Sequence, residues 1–194
     1  MRIYTVVCGD IEENCYIADV GEGKAVVIDP GMDGIRIFDE AGKNGLEIAA
    51  ILLTHGHFDH IGGVEELSVL SGAPVCIHKN DLDMLTDPGI NMSRMMAVSA
   101  VTANVGAAAL SGGETLRFGD ADIAVIHTPG HTPGSVCYSF GDDVFTGDTV
   151  FAVGYGRTDF PGGSFLMLRN SIRLLKRTIS GKTIYPGHGE SKIF

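Results

Sequence analysis

Apolar residues fall at strand-like spacing through the first thirty positions: runs at 3–7 and 14–20, a Gly21-Glu22-Gly23-Lys24 turn, and a third run at 25–28. This predicts an antiparallel opening. Asp29-Pro30-Gly31 then stops the pairing, and the spacing predicts a helix over 34–43. A compact apolar run at 47–53 reads as a strand that ends at Thr54-His55, with a helix over 64–70 behind it. A short strand at 74–77 and a polar helical stretch at 79–86 follow. From 87 to 113 the pattern weakens. Asp87-Pro88-Gly89 breaks the chain, and a stretch rich in Met and Ala, with Met92, Met95 and Met96, reads either as an apolar helix on the core or as a lid or wall of a binding site. Strands at 115–118, 123–128, 136–140 and 144–146, separated by Gly-Asp turns, predict a second antiparallel sheet. Phe165, Leu168, Ile172 and Leu175 mark one face of a helix over 164–178, and 183–185 adds a last strand. Strand-rich halves each followed by helices predict two packed sheets with helices outside, in one domain covering 1–194.

Five of the seven histidines stand at predicted strand ends, in His55-Gly56-His57-Phe58-Asp59-His60, Gly130-His131-Thr132 and Gly187-His188-Gly189. Imidazoles and carboxylates converging from separate strand ends suit zinc and similar divalent ions. His55 and His57 are two apart, so in extended chain they share a side. Asp59 and His60 follow after the chain turns and can face a neighbouring position. The runs at 136–140 and 144–146 form a hairpin, which brings His131, before it, and Asp148, after it, to the same sheet edge. His188 follows the last strand and can complete the shell of a second ion. Arg157 and Asp159 either line the site or clamp a loop. His127 either supports the ligands from behind or is a plain buried histidine, and His78 and Tyr185 read as structural.

Composition narrows the partners. Hydrophobic residues make up 44% and charged residues 20%, the profile of a globular chain, and the net charge of -10 disfavours nucleic acid and anionic membrane surfaces. The N-terminal apolar stretch is too short for an export signal, and the charge-free stretch 95–110 is too short and polar for a membrane helix. A cytoplasmic location is expected. Cys8, Cys15, Cys76 and Cys137 lie in apolar runs and read as buried free thiols.

Thr54-His55-Gly56-His57-Phe58-Asp59-His60, with His131, Asp148 and His188 downstream, resembles the signature of the metallo-β-lactamase superfamily, as do Asp29-Pro30-Gly31 and the run from Thr128 to Ser135. The resemblance implies an α/β (α+β) fold, a four-layer αββα sandwich of two mixed sheets flanked by helices, with the site at one sheet edge. It also implies two divalent ions, zinc above all, with iron or a mixed pair as alternatives. His55, His57 and His131 would hold the first, Asp59, His60 and His188 the second, with Asp148 bridging; Asp59 and Asp148 would be the catalytic carboxylates. The Asp59-His60 pair together with Asp148 looks like the glyoxalase II group rather than the true β-lactamases. Gly156-Arg157-Thr158-Asp159-Phe160 resembles the short one-domain glyoxalase II-like proteins and, in part, persulfide dioxygenases.

The activity so implied is hydrolysis of a small acyl thioester, such as a hydroxyacylglutathione, by a metal-activated water. A single-iron persulfide-dependent oxidoreductase, a lactonase and a non-catalytic binding module are the rival readings. Full-length glyoxalase II carries a further helical domain that helps bind glutathione, whereas this sequence runs only five residues past Gly189, so recognition of glutathione itself is not expected to follow from the resemblance.

Overall fold

The structure, a computed structural model, describes all 194 residues. The first sheet runs in the order β1 (Ile3–Cys8), β2 (Glu13–Gly21), β3 (Lys24–Ile28), β4 (Glu47–Leu52), β5 (Val75–His78), β6 (Ala107–Leu110). In the second, β7 (Thr115–Phe118) lies at one edge, followed by β8 (Ala121–His127), β9 (Val136–Phe140), β10 (Asp143–Gly147), β11 (Thr183–Pro186) and β12 (Lys192–Ile193). Both sheets are mixed. β1 to β3 pair antiparallel and β3 to β6 parallel, and β10 pairs antiparallel with β9 but parallel with β11. The second sheet is therefore not wholly antiparallel, because the helix between β10 and β11 returns the chain in the same direction.

Alternation along the strands builds the layers. In β2, Cys15 and Ile17 join a core with Ile37 and Ala41 of α1 (Gly34–Lys43) and Leu67 of α3 (Val64–Ser71), while Tyr16 and Ala18 turn to the other face. There they meet Val125, Val136, Tyr138 and Phe145 of the second sheet. Beyond that sheet, Cys137, Val144 and Ile184 pack on Leu175 of α5 (Phe165–Thr178). The αββα order follows. Ser164 caps α5 by accepting from the Met167 N–H, and Lys176 and Arg177 complement its C-terminal end. The buried stripe of α5 is Leu168, Ser171 and Leu175. Phe165, expected on that face, is instead exposed at the first turn near Tyr155.

Residues 87–113 are not an apolar core helix. They contain only the four-residue α4 (Ser93–Met96), then irregular chain, then β6, whose Ala-Ala-Ala-Leu sequence carries no strand signal and is set by parallel pairing with β5. Lys79–Leu85 is a 3-10 helix. All four cysteines are free and buried. No helix is long and apolar enough to cross a membrane.

At one edge the two sheets are stitched together. Tyr16 donates its hydroxyl to the Pro186 carbonyl at 2.7 Å, Tyr138 donates to Leu53 O at 2.8 Å, and the Val136 N–H donates to Thr54 O at 2.8 Å. Gly147 ends β10 with φ +47° against Thr54, where a methyl group would collide with the threonine side chain. Gly147→Ala should therefore destabilise the protein by at least about 1 kcal/mol. Leu175→Ala, which empties the α5 interface, should cost about 2–5 kcal/mol. Denaturant unfolding checks both; a Gly147→Ala protein as stable as wild type would refute the close-approach argument.

Candidate metal centre

The stitched edge is where the chemistry-bearing residues collect. β3, β4, β10 and β11 all end there, so Asp29, His55, Asp148 and His188 emerge just beyond the carboxyl ends of strands. His131 arrives from the loop before β9, antiparallel to β10. After β4 the chain turns into α2 (Phe58–Ile61), with His57 as its N-cap residue, and this single helical turn carries Asp59 and His60. The hairpin reading of β9 and β10 holds, and all seven predicted side chains lie in one cluster.

Their donor atoms form groups. Those of His55, His57 and His131 lie within 4.8 Å of one another, as do those of Asp59, His60 and His188. Asp148 sits between the groups: its Oδ2 is 3.5 Å from His131 Nε2, and its Oδ1 is 3.5 Å from His60 Nε2 and 3.8 Å from His188 Nε2. Asp59 Oδ2 is 3.3 Å from His188 Nε2 and 3.6 Å from His60 Nε2.

Hydrogen bonds behind the rings select which nitrogen faces inward. His55 Nδ1 meets Thr54 Oγ1 at 3.1 Å, His60 Nδ1 meets Asp29 Oδ2 at 3.0 Å, His131 Nδ1 meets the Arg157 carbonyl at 2.7 Å, and His188 Nδ1 meets the Ile11 carbonyl at 3.2 Å. Assigning the proton to each of these Nδ1 atoms leaves four Nε2 lone pairs turned into the cluster. His57 is the exception, with Nδ1 inward, 2.9 Å from His131 Nε2.

The nitrogens and oxygens left over fit a cation. His55 Nε2, His60 Nε2 and Asp148 Oδ1 are buried without a hydrogen-bond partner, a costly arrangement unless something positive accepts their lone pairs. Burial, then His131, pushes the His57 imidazole down to about 3, and burial with the neighbouring imidazoles holds His55 well below the usual histidine range. Both are neutral and able to ligate. Burial disfavours charge on Asp148, but without a metal His60, which, against burial, Asp59 and Asp29 hold well above the usual histidine range, hydrogen-bonds it and, with His131 and His188, keeps the group a carboxylate. The mixed nitrogen and oxygen donor set, with no thiolate, suits zinc or iron.

Supporting residues hold the donors from behind, some of them, such as Asp81 and Glu13, with little signal in the sequence. Asp29, held at φ +50°, accepts from the Thr54 N–H at 2.7 Å and Thr54 Oγ1 at 2.5 Å as well as from His60. Its lone pairs are thus committed to orienting the ring, although it also lies within reach of His55 and His60 as a donor. Asp81 is buried and accepts from the Gly56 N–H, the Thr132 hydroxyl and the Gly134 N–H at 3.2, 2.6 and 2.7 Å, so one carboxylate ties the His55 loop to the His131 loop. Glu13 lies wholly buried with its Oε1 3.7 Å from His60 Nδ1, and burial pushes its carboxyl well above the usual range. The sequence pattern, which starts the second strand at 14, leaves it out, and the structure adds it as the acid opening β2. His127 donates to the Pro133 carbonyl at 3.0 Å behind the His131 loop and stacks on buried His78. Tyr185 packs on Phe145 and donates to Asp143.

The cluster opens into a cavity of about 430 Å³, walled by Phe58, Met92, Met96, Phe151, Tyr155 and Phe160. The Met-rich segment is therefore a wall of this cavity. Arg157 takes both of the roles its position allowed: it lines the cavity and pairs with Asp159 through bonds of 2.8 and 2.7 Å. A depression of about 460 Å³ at the far end, by the β9–β10 turn, is lined by aspartates and turn backbone and gathers no histidine.

Known proteins agree with this geometry. Residues 8–188 match the family model described as the metallo-beta-lactamase superfamily. The probable metallo-hydrolase YqgX of Bacillus subtilis is 37% identical over 93% of this chain and 87% of its own length. The probable polyketide biosynthesis zinc-dependent hydrolase PksB, also of Bacillus subtilis, is 31% identical over 92% of the chain and 73% of its length. Among solved structures, BLEG-1 B3 metallo-beta-lactamase superposes with a TM-score of 0.93 at 33% identity, covering 98% of this chain and 93% of that one. TTHA1623 in a di-iron-bound form gives 0.88 at 33%, covering 98% and 94%. The chain, a metal-dependent hydrolase by its relatives and its donor set, belongs to the metallo-β-lactamase superfamily.

Proposed function

We propose that this protein hydrolyses small acyl thioesters at a two-metal site, a reaction of the glyoxalase II type. The observation that carries the reading is the position of Asp148 between two three-residue donor groups, at the floor of a mainly apolar cavity. His55, His57 and His131 would hold one ion and Asp59, His60 and His188 the other, with Asp148 shared. Two divalent ions held there would supply Lewis acidity and lower the pKa of a water.

The chain's own groups do the rest. Asp59 borders the cavity, and although burial opposes it, His60 and His188 keep its carboxyl below the usual range, so it stands ionised at neutral pH and can orient the attacking water and accept its hydrogen bond. A C–O bond forms, the C–S bond breaks, and a proton of the water leaves with the thiolate, giving a carboxylic acid and a thiol. No serine or cysteine nucleophile is required, and the four thiols are buried. Phe160, edge-on to His57 at 5.6 Å between centroids, and Phe58 shield the reacting centre from bulk water. The likeness to BLEG-1 supports a second reading, cleavage of a cyclic amide.

Protein purified without added metal should contain close to two zinc ions per chain by elemental analysis and release thiol from S-lactoylglutathione or from a simple N-acetylcysteamine thioester. One iron per chain with no thioester cleavage would overturn the proposal, and cleavage of a β-lactam alone would favour the second reading. Asp29→Asn should weaken affinity for the ion nearest His60 by about 10–100-fold in a chelator competition, since the ring loses its acceptor. Unchanged affinity would show that Asp29 does not set the ring's orientation.

A further inference from the structure

Beside the metal centre a second, narrower groove of about 140 Å³ leaves the main cavity. The two share Ile11, Phe58, Asp59 and Met96, so the groove starts beside the Asp59 carboxylate and runs away over the Phe58 ring. Beyond Met96 its walls are Met32, Ala97, Val98 and Val101, with Cys8 at its base. Met32 is 40% and Met96 47% exposed, an unusual amount of flexible apolar side chain left open next to a buried polar site.

The charges around it are one-sided. The only ionisable side chains lining the groove other than the buried Cys8 thiol are the acids Asp10 and Asp59. No lysine lines groove or cavity, and the one guanidinium, Arg157, stands on the main cavity, paired with Asp159 and lying 3.9 Å over the Phe160 ring. A hydrocarbon entering the groove removes methionine and valine surface from water, whereas a carboxylate there meets Asp10, and the nearby guanidinium, Arg36, lies behind Cys8, bonded to the Val7 carbonyl and paired with Asp33. The wider cavity, which adds Tyr155 and the Arg157 guanidinium to its apolar walls, suits the thiol portion.

We propose that this groove is the acyl-chain subsite: the scissile carbonyl lies at the donor cluster, and an unbranched, uncharged hydrocarbon chain extends past Phe58 toward Met32. The enzyme then selects its thioester by the length and neutrality of the acyl group. This inference rests on the thioesterase reading of the site.

The test is a series of N-acetylcysteamine thioesters with acetyl, butyryl, hexanoyl, octanoyl and succinyl groups, followed by thiol release from the metal-loaded enzyme. kcat/KM should rise with chain length, by up to about fourfold for each methylene that the groove buries, and then level off. The succinyl ester should fall below butyryl by at least tenfold. Met32→Glu should flatten the rise, and Met32→Leu should retain it. In parallel, calorimetry with uncleavable ketone analogues, a methylene replacing the sulfur, should show the octanoyl analogue binding at least tenfold tighter than the acetyl one, and Met32→Glu should erase that difference. Cleavage of the acetyl ester with no dependence on length, in rate or in binding, would overturn the subsite and leave the thioesterase reading standing. Failure to cleave any thioester would overturn that reading, and a length-independent affinity of the ketones would then remove the groove on its own evidence.

Discussion

The structure is organised around a set of buried donors that cannot satisfy one another. Four Nε2 atoms, one Nδ1 and two aspartates converge on a space that only protons or metal ions can neutralise, because each ring but one turns its Nδ1 to an acceptor behind it. Close packing of like lone pairs is unfavourable in a buried setting unless a cation sits among them. The polar construction of the edge follows from that one constraint.

Keeping the donors in place is the work of the strand ends. Parallel pairing of β3 with β4, and of β10 with β11, delivers Asp29, His55, Asp148 and His188 to a common level, and the β9–β10 hairpin brings His131 beside them. The loops are then tied to each other rather than left to the solvent: Asp81 joins the His55 and His131 loops, Asp29 joins Thr54 to His60, and Asn14 holds the His188 loop through the Pro186 and Gly189 carbonyls. Such a rigid frame lets the walls vary. The Met-rich segment supplies soft, adaptable surface without carrying any of the donors.

Much of this was legible in the sequence. The ligand motif reads directly, because histidines and aspartates gathered beside glycines at several predicted strand ends supply the nitrogen and oxygen donors a divalent ion needs, and the Gly141-Asp142-Asp143 turn was enough to bring His131 and Asp148 together. The helix over Gly34–Lys43 and most strands followed from apolar spacing. Three kinds of feature did not. β6 is four residues of alanine and leucine whose state is fixed by its neighbour β5, a long-range pairing that local pattern cannot show. Phe165 fits the helical spacing of a buried face yet sits at the first turn, beyond the reach of the second sheet. Asp81 and Glu13 are acids in polar surroundings along the chain and become buried only through packing.

The proposed hydrolysis requires two ions that share Asp148. A crystal structure of the metal-loaded protein with anomalous scattering recorded at the metal edges tests it most directly. Two peaks are expected, one among His55, His57 and His131, the other among Asp59, His60 and His188, both touching Asp148. A single peak, or a second lying away from Asp148, would rule out the two-metal site.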